Sequence, residues 1–282
     1  MTLNDSKIVI LGGKGMLGTD LVKTCQKQNF NIKIYDLPEF DITNFRQLEK
    51  AVNSADIVIN CAAYTNVDGA EKEKELAYKV NAEAVGHLGA IARDNDIWVL
   101  HISTDFVFDG MREKPYLETD TPNPVNEYGR TKLAGEKLLE QSGCKYGIMR
   151  VEWTYGTAGN NFVSKLIQRA RTDDTVNVVD DQVGSPTATT EVSHAIINMM
   201  DKKPEGLFHF ANAGYVSRYE MAGFIFDKLK MDVNLMPCKT SDYVTPAARP
   251  LNSRFDCSKI TEILGEPIES WQTVLERYLN NL

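Results

Sequence analysis

Short apolar runs alternate with amphipathic segments of helical length through the first half of the chain. The apolar runs are rich in Val and Ile, which is typical of parallel strands covered on both faces. They predict strands at 7–11, 32–36, 56–63, 98–105 and 146–153. The segments between them predict helices at 16–28, 45–52, 70–94 and 128–141, the third of them broken or bent. This alternation predicts an α/β fold with a doubly wound parallel sheet.

The pattern loosens after residue 153, where prolines at 186, 204, 237, 246 and 250 interrupt the chain. Helices are predicted at 161–171 and 191–200, and extended segments at 176–179 and 207–211. We therefore predict one domain at 1–153 and a second, smaller α/β domain at 154–282. The boundary is soft, because 176–179 could rejoin the first sheet. The second domain should pack across the carboxyl ends of that sheet, where open α/β folds bind ligands.

Composition is that of an ordinary globular protein, with 43% hydrophobic and 25% charged residues, which excludes disordered and coiled-coil classes. A net charge of −8 argues against nucleic-acid partners and against binding to anionic membranes. No run resembles a signal peptide or a membrane span. The five cysteines are scattered and form no CxxC pair, so we expect reduced thiols and a cytoplasmic location.

A glycine-rich loop follows the first predicted strand and opens the first predicted helix. Its glycines have separate uses: Gly12 for a tight turn, Gly15 for close approach of a pyrophosphate, and Gly18 for packing of the helix on the strand. A merely flexible loop is the alternative. The context favours a dinucleotide site of the Rossmann kind, which makes 1–153 the dinucleotide-binding domain and 154–282 the substrate-binding domain.

The end of the second predicted strand bears on the choice of cofactor. Asp36 stands where an acid can accept a hydrogen bond from the adenosine ribose 2′-hydroxyl, which favours NADH. Lys14, inside the glycine loop, could neutralise the 2′-phosphate of NADPH. Both cofactors therefore stay open. Asp41 and Ile42 could flank the adenine, or form only a polar turn before the next helix.

Candidate chemistry lies on the helix at 128–141 and at the end of the fourth strand. Tyr128 and Lys132 are four residues apart and share one helical face, so the ammonium can stabilise a phenolate. Taken alone, this spacing is more typical of a surface pair than of a catalytic one. The Thr104 hydroxyl should face the same crevice and could hold a substrate carbonyl, although a cap on the strand-end turn is the alternative.

These motifs together resemble the extended short-chain dehydrogenase/reductase superfamily and, within it, the dTDP-4-dehydrorhamnose reductases. The resemblance spans nearly the whole chain. Its general motifs are the glycine loop and the Tyr128 to Glu136 segment. Its more specific motifs lie at 60–71, 103–110, 150–155, 159–162, 181–187 and 248–254.

The resemblance implies reduction of the C4 keto group of dTDP-4-dehydro-β-L-rhamnose to dTDP-β-L-rhamnose by NADPH or NADH. It implies that Tyr128 donates the proton, Lys132 binds the nicotinamide ribose and Thr104 polarises the keto group. It also implies that Asp105 and Trp153 contact the sugar. Independently of the resemblance, Arg249 in an overall acidic chain suits a diphosphate by bidentate pairing. The residues implied to line the dinucleotide are Gly15, Met16, Leu17, Asp36, Asp41, Ile42, Ala62, Ala63, Tyr64 and Thr65.

Several alternatives stay open. Trp153 could be a core residue, and Arg249 a solvated loop residue. The related sugar-nucleotide dehydratases carry Thr-Asp-Glu, whereas Phe106 follows Thr104 and Asp105 here, so an epimerase or dehydratase is less favoured. The family also resembles the non-catalytic regulatory subunit of methionine adenosyltransferase. Some members respond to Mg²⁺, but no ligand set is recognisable and we assign no metal. A homodimer is compatible with the sequence.

Overall fold

The computed structural model describes residues 3–282. Its strands are β1 (Ile8–Leu11), β2 (Ile32–Tyr35), β3 (Ile57–Asn60), β4 (Trp98–Thr104), β5 (Lys145–Val151), β6 (Thr154–Tyr155), β7 (Thr175–Val179), β8 (Val183–Gly184), β9 (Thr187–Ala188), β10 (Gly206–Phe210), β11 (Val216–Ser217) and β12 (Asn234–Cys238). Its α-helices are α1 (Met16–Lys27), α2 (Phe45–Val52), α3 (Val67–Ala70), α4 (Lys74–Tyr78), α5 (Ala84–Asp94), α6 (Glu127–Gln141), α7 (Phe162–Ala170), α8 (Thr189–Lys202), α9 (Arg218–Leu229), α10 (Ser258–Leu264) and α11 (Trp271–Leu279).

A six-stranded parallel sheet with the order β10-β5-β4-β3-β1-β2 forms the centre of the molecule. Alternate side chains of each strand enter different cores, as the pleat requires. In β1, Val9 and Leu11 pack towards α2 and α5, whereas Ile8 and Ile10 pack towards α1 and α8. Because both faces are covered, β1 and β3 are apolar almost throughout. The predicted doubly wound α/β fold is confirmed.

The segment predicted as a broken helix at 70–94 is divided into α4, a π-helical turn at Lys79–Glu83, and α5, after the single turn of α3. The buried Asn81 lies in the π-helical turn. Its side chain accepts a hydrogen bond from the Tyr64 backbone N–H at 2.8 Å and donates one to the Thr131 hydroxyl at 3.0 Å. This turn therefore attaches the loop after β3 to helix α6, which carries the predicted catalytic pair.

The second half of the chain forms small sheets and also completes the large one. Strand β7 pairs with β12, so 176–179 does not rejoin the central sheet. Strand β10 does so instead, in parallel register with β5. Helix α8 packs on α1 beneath that sheet. The large sheet therefore contains residues from both sides of the boundary predicted at residue 153.

A buried ion pair fixes the strands and helix that carry the predicted catalytic residues. Arg150 of β5 donates to both carboxylate oxygens of Glu136 on α6, at 2.9 and 2.6 Å. Ser103 of β4 donates to the same carboxylate at 2.5 Å. The charged side chains are only 2% and 6% exposed. Ser103 precedes Thr104, and Glu136 lies one helical turn after Lys132. This network therefore sets the position of Thr104 relative to Lys132.

Candidate active site

A cleft of about 600 Å³ lies where the loops after the first strands meet the start of α6. Among the residues singled out from sequence, it is lined by Gly12, Gly15, Met16, Leu17, Gly18, Asp36, Asp41, Ile42, Ala62, Ala63, Thr65, Thr104, Asp105, Tyr128, Lys132 and Trp153. Tyr64 does not line it, and its hydroxyl donates a hydrogen bond to Glu73. Arg249 lines a neighbouring cavity.

The glycine loop has the shape that its spacing predicts. Gly12 has φ +76°, and a Cβ there would lie 2.6 Å from the Ala62 backbone nitrogen. At Gly18 a Cβ would collide with the Gly12 carbonyl oxygen, because helix α1 packs directly on the loop. At Gly15 a Cβ would meet only that oxygen, at 3.3 Å. The open space beside Gly15, next to the amino end of α1, fits a dinucleotide pyrophosphate.

Charges at the far end of the cleft leave the choice between NADH and NADPH open. The Asp36 carboxylate accepts hydrogen bonds from the backbone N–H groups of Lys14 and Leu37, each at 2.7 Å. The Lys14 amine donates to Glu39 at 2.6 Å. This ion pair is exposed and therefore weak, so the Lys14 amine remains available to a ligand.

Thr104 and Tyr128 face the same part of the cleft. The Thr104 oxygen accepts a hydrogen bond from the Phe106 backbone N–H at 3.2 Å, and its hydroxyl donates to Asp105 at 3.0 Å. Thr104 therefore caps the turn and also lines the cleft. Asn126 caps α6 by accepting from the Gly129 N–H at 2.8 Å, which places Tyr128 in the first turn.

The phenol of Tyr128 is held in its protonated form. Burial raises the pKa of Tyr128 well above its usual value, and the negative charge of Asp105 raises it further. The Thr104 side chain opposes this shift in pKa only in part. A phenol that is protonated at neutral pH can donate a proton to an oxygen on which negative charge develops.

Lys132 lies one helical turn beyond Tyr128 and is only 1% exposed. Its amine donates to the Ile102 carbonyl at 2.7 Å and lies 3.2 Å from His101 Nε2. The other ring nitrogen of His101 lies 3.1 Å from the Asn60 amide nitrogen. Burial lowers the pKa of Lys132 to about 8, although nearby Glu136 raises it. The amine is thus fixed at the base of the cleft.

Two buried carboxylates attach the second half of the chain beside this site. Asp105 accepts a hydrogen bond from the Ser253 hydroxyl at 2.5 Å. Glu152 accepts from the backbone N–H groups of Ser185 at 2.8 Å and Phe255 at 3.2 Å. Burial raises the pKa of both carboxyl groups. The loops around 185 and 253 are therefore anchored next to Thr104, which precedes Asp105.

A second cavity, of about 530 Å³, adjoins the cleft and shares Phe106, Trp153 and Arg218 with it. The basic residues in its wall are Lys165, Arg169, Arg218 and Arg249, and within residues 3–282 no Asp or Glu lines it. This is unusual for a chain with a net charge of −8. The cavity therefore suits an anionic ligand.

Arg249 is already bound to a carboxylate at the wall of this cavity. Its guanidinium donates to both oxygens of Asp68, at 3.0 and 2.8 Å, and to the Ala247 carbonyl at 2.5 Å. Asp68 follows Val67, which lines the first cleft. Bidentate pairing is present, but with a residue of the protein, so a contact of Arg249 with a diphosphate stays a prediction.

The sequence interpretation missed four residues of this region: His101, Lys165, Arg218 and Ser253. Ser217 and Glu220 form a capping box that could have indicated the start of α9 at Arg218. Nothing local indicates that Arg218 lies 3.5 Å from the centre of the Trp153 ring. The positions of these side chains depend on contacts between segments that are distant in sequence.

Residues 3–282 contain no cluster of three or more His, Cys, Asp or Glu side chains that could hold a metal ion. None of the helices in that range is long and apolar enough to cross a membrane.

Comparison with known proteins places this site in a family. The profile described as RmlD substrate binding domain matches residues 6–282. The dTDP-4-dehydrorhamnose reductase of Aggregatibacter actinomycetemcomitans is 36% identical, and the alignment covers 96% of this chain and 97% of the relative. That of Escherichia coli is 34% identical, with 98% and 97% covered. The chain belongs to the dTDP-4-dehydrorhamnose reductase family.

Solved structures of the family agree with the fold described above. The dTDP-4-dehydrorhamnose reductase of Bacillus anthracis, crystallised with NADP, has a TM-score of 0.94 at 35% identity, covering 98% of this chain and 99% of the other. The Clostridium acetobutylicum protein has a TM-score of 0.93 at 37% identity, with the same coverage. A dTDP-glucose 4,6-dehydratase of Streptomyces venezuelae, at 17% identity, shares the fold.

Proposed function

We propose that this protein uses NADPH or NADH to reduce the C4 keto group of dTDP-4-dehydro-β-L-rhamnose, giving dTDP-β-L-rhamnose. One observation carries the proposal: the cleft with the glycine loop and the cavity with the basic wall meet at Phe106, Trp153 and Arg218, and Phe106 packs against Tyr128. A dinucleotide in the first and a nucleotide sugar in the second could therefore bring their reacting ends together. The family's named activity and the NADP bound to the Bacillus anthracis relative support it.

The residues of this chain account for binding and for proton transfer. The glycine loop would hold the pyrophosphate, and Lys132 would bind the nicotinamide ribose. When bound, the nicotinamide supplies a hydride to the carbonyl carbon. The Thr104 hydroxyl orients the carbonyl oxygen, and Tyr128 gives that oxygen its proton, so the keto group becomes an alcohol. A raised pKa at Tyr128 suits this direction, because the phenol must begin protonated.

The alternatives raised by the sequence are not favoured. A dehydratase needs an acid–base pair, whereas Phe106 occupies the position of its glutamate and packs edge-on against Tyr128, with ring centres 5.5 Å apart. An epimerase would recycle its cofactor, so net oxidation of added NADPH separates the two cases. A homodimer and a cytoplasmic location are compatible with this role, and light scattering on the purified protein tests the first.

The deciding experiment is a reduction assay on Tyr128→Phe. We expect the variant to bind NADPH normally and to lose roughly 10²- to 10⁴-fold in turnover, the usual contribution of a general acid. Tyr146→Phe, a change on β5 outside the cleft, is the matched control and should stay fully active. Full turnover by Tyr128→Phe, or no NADPH oxidation by the wild-type protein with this substrate, would overturn the proposal.

A further inference from the structure

Arg218 occupies a position that the mechanism above does not use. It is the first residue of α9, and its guanidinium lies 3.5 Å from the centre of the Trp153 ring and 4.6 Å from that of Phe162. Stacking on aromatic rings fixes a guanidinium in place while leaving its N–H groups free at the edge of the plane. The position of Arg218 is therefore set before any ligand binds.

Within residues 3–282 the contacts of the guanidinium are with aromatic rings, and none of its five N–H donors is used in a hydrogen bond. Asp105 and Glu152 lie near enough to attract its charge, but their oxygens accept from other groups. Burial lowers the pKa of Arg218 to about 9. The side chain is half-buried and lines both the cavity and the cleft, so an acceptor on a bound ligand could reach its free N–H groups.

The other arginines of the basic wall differ in this respect. Arg249 is paired with Asp68 at 2.8 Å, and Arg169 with Asp173 at 3.1 Å. Of the three arginines in this wall, Arg218 is the one whose guanidinium is not hydrogen-bonded to a carboxylate. It is also the charged residue common to the cavity and the cleft.

We propose that Arg218 binds the phosphate that carries the sugar, and that it distinguishes nucleoside diphosphates from monophosphates. This inference rests on the proposed function. A nucleotide sugar is linear, with the base at one end, then the two phosphates, then the sugar. If the sugar lies at Thr104 and Tyr128 while the nucleoside lies in the basic cavity, the phosphate next to the sugar must pass the junction where Arg218 stands.

The test measures binding of dTDP and dTMP by calorimetry in the presence of NADPH. For Arg218→Met we expect affinity for dTDP to fall roughly 10- to 100-fold, as loss of hydrogen bonds to a charged group predicts, while affinity for dTMP changes little. Arg218→Lys should recover part of the dTDP affinity, since it restores charge without the planar donors. Lys228→Met, on the same helix and paired with Glu276, is the control and should match the wild type.

Several outcomes would overturn the inference. Unchanged dTDP affinity in Arg218→Met would show that the phosphate binds elsewhere. An equal loss for dTDP and dTMP would show a structural role, and a loss of turnover with unchanged dTDP affinity would show a contact with the sugar. Normal NADPH binding by the variant verifies that it is folded. If the wild-type protein reduces the keto sugar while any of these results holds, the inference fails and the proposed function stands.

Discussion

Replacing Lys132 with Met should stabilise the ligand-free protein at pH 7 while removing its activity. The Lys132 side chain is 1% exposed, and burial lowers its pKa from 10.5 to about 8. A lowered pKa means that the folded state disfavours the charged amine relative to the unfolded chain. The charged Lys132 amine therefore destabilises the folded state, at the base of the cleft where it is proposed to bind the cofactor.

The magnitude follows from the interval between the two pKa values. At about 1.4 kcal/mol for each pH unit, the interval from 10.5 to about 8 corresponds to about 3 kcal/mol of unfolding free energy. Below pH 8 both states carry the proton, so the folded state bears the whole cost. Between pH 8 and 10.5 the folded state releases its proton first, and the cost declines as pH rises.

The stability of Lys132→Met relative to the wild type should therefore fall by about 2 kcal/mol between pH 7 and pH 9.5. Loss of the hydrogen bond to the Ile102 carbonyl adds a constant offset, so the change with pH is the quantity to measure. Urea unfolding followed by tryptophan fluorescence gives it. Lys137→Met, at an exposed site on the same helix, should show no such change. A stability difference for Lys132→Met that is constant from pH 7 to pH 9.5 would refute the reasoning.

Two further predictions concern the frame of the site. Gly18→Ala should lose about 1–3 kcal/mol of unfolding free energy in urea titrations, because the added Cβ would collide with the backbone of the glycine loop. Gly15→Ala should keep its unfolding free energy within about 1 kcal/mol of the wild type. It should instead weaken the binding of NADH, measured by fluorescence. The reverse order of stabilities would contradict the roles given to these glycines. Glu136→Leu should cost about 3–5 kcal/mol by leaving Arg150 buried without its carboxylate, and adding Arg150→Met should recover most of that loss in the same assay. A double variant as unstable as the sum of the single variants would exclude coupling between the two.

The sequence predicted the first half of the fold better than the second. Helix α2 has the predicted bounds, and the first five strands lie within the predicted ones, except that β5 begins one residue before its predicted start. Parallel strands and their crossover helices carry a local signal, because each buries its own apolar face. Strands β6 and β9 are two residues long and are defined by pairing of Thr154 with Thr187 across the chain. Such strands have no periodicity of their own to detect.

The same distinction holds for the site. Residues that follow a strand in a contiguous motif, such as Thr104, could be placed at the carboxyl edge of the sheet from sequence alone. Arg218 could not, because its relation to Trp153 and Asp105 arises only when α9 packs against β7 and α7. Ser253, which holds the Asp105 carboxylate, belongs to another distant segment. The local motifs therefore predict only part of the site, and the remaining residues are brought to it by contacts between segments that are distant in sequence.

The return of β10 to the central sheet limits how this protein could be recombined with its relatives. A chimaera joined at residue 153 would pair β5 with a β10 and pack α1 against an α8 that come from the relative, so two buried interfaces would be built from different sequences. An exchange of specificity would need further junctions that keep residues 189–210 with the host sheet. We therefore expect substrate preference in this fold to be easier to alter by substituting single side chains than by exchanging the whole segment after residue 153.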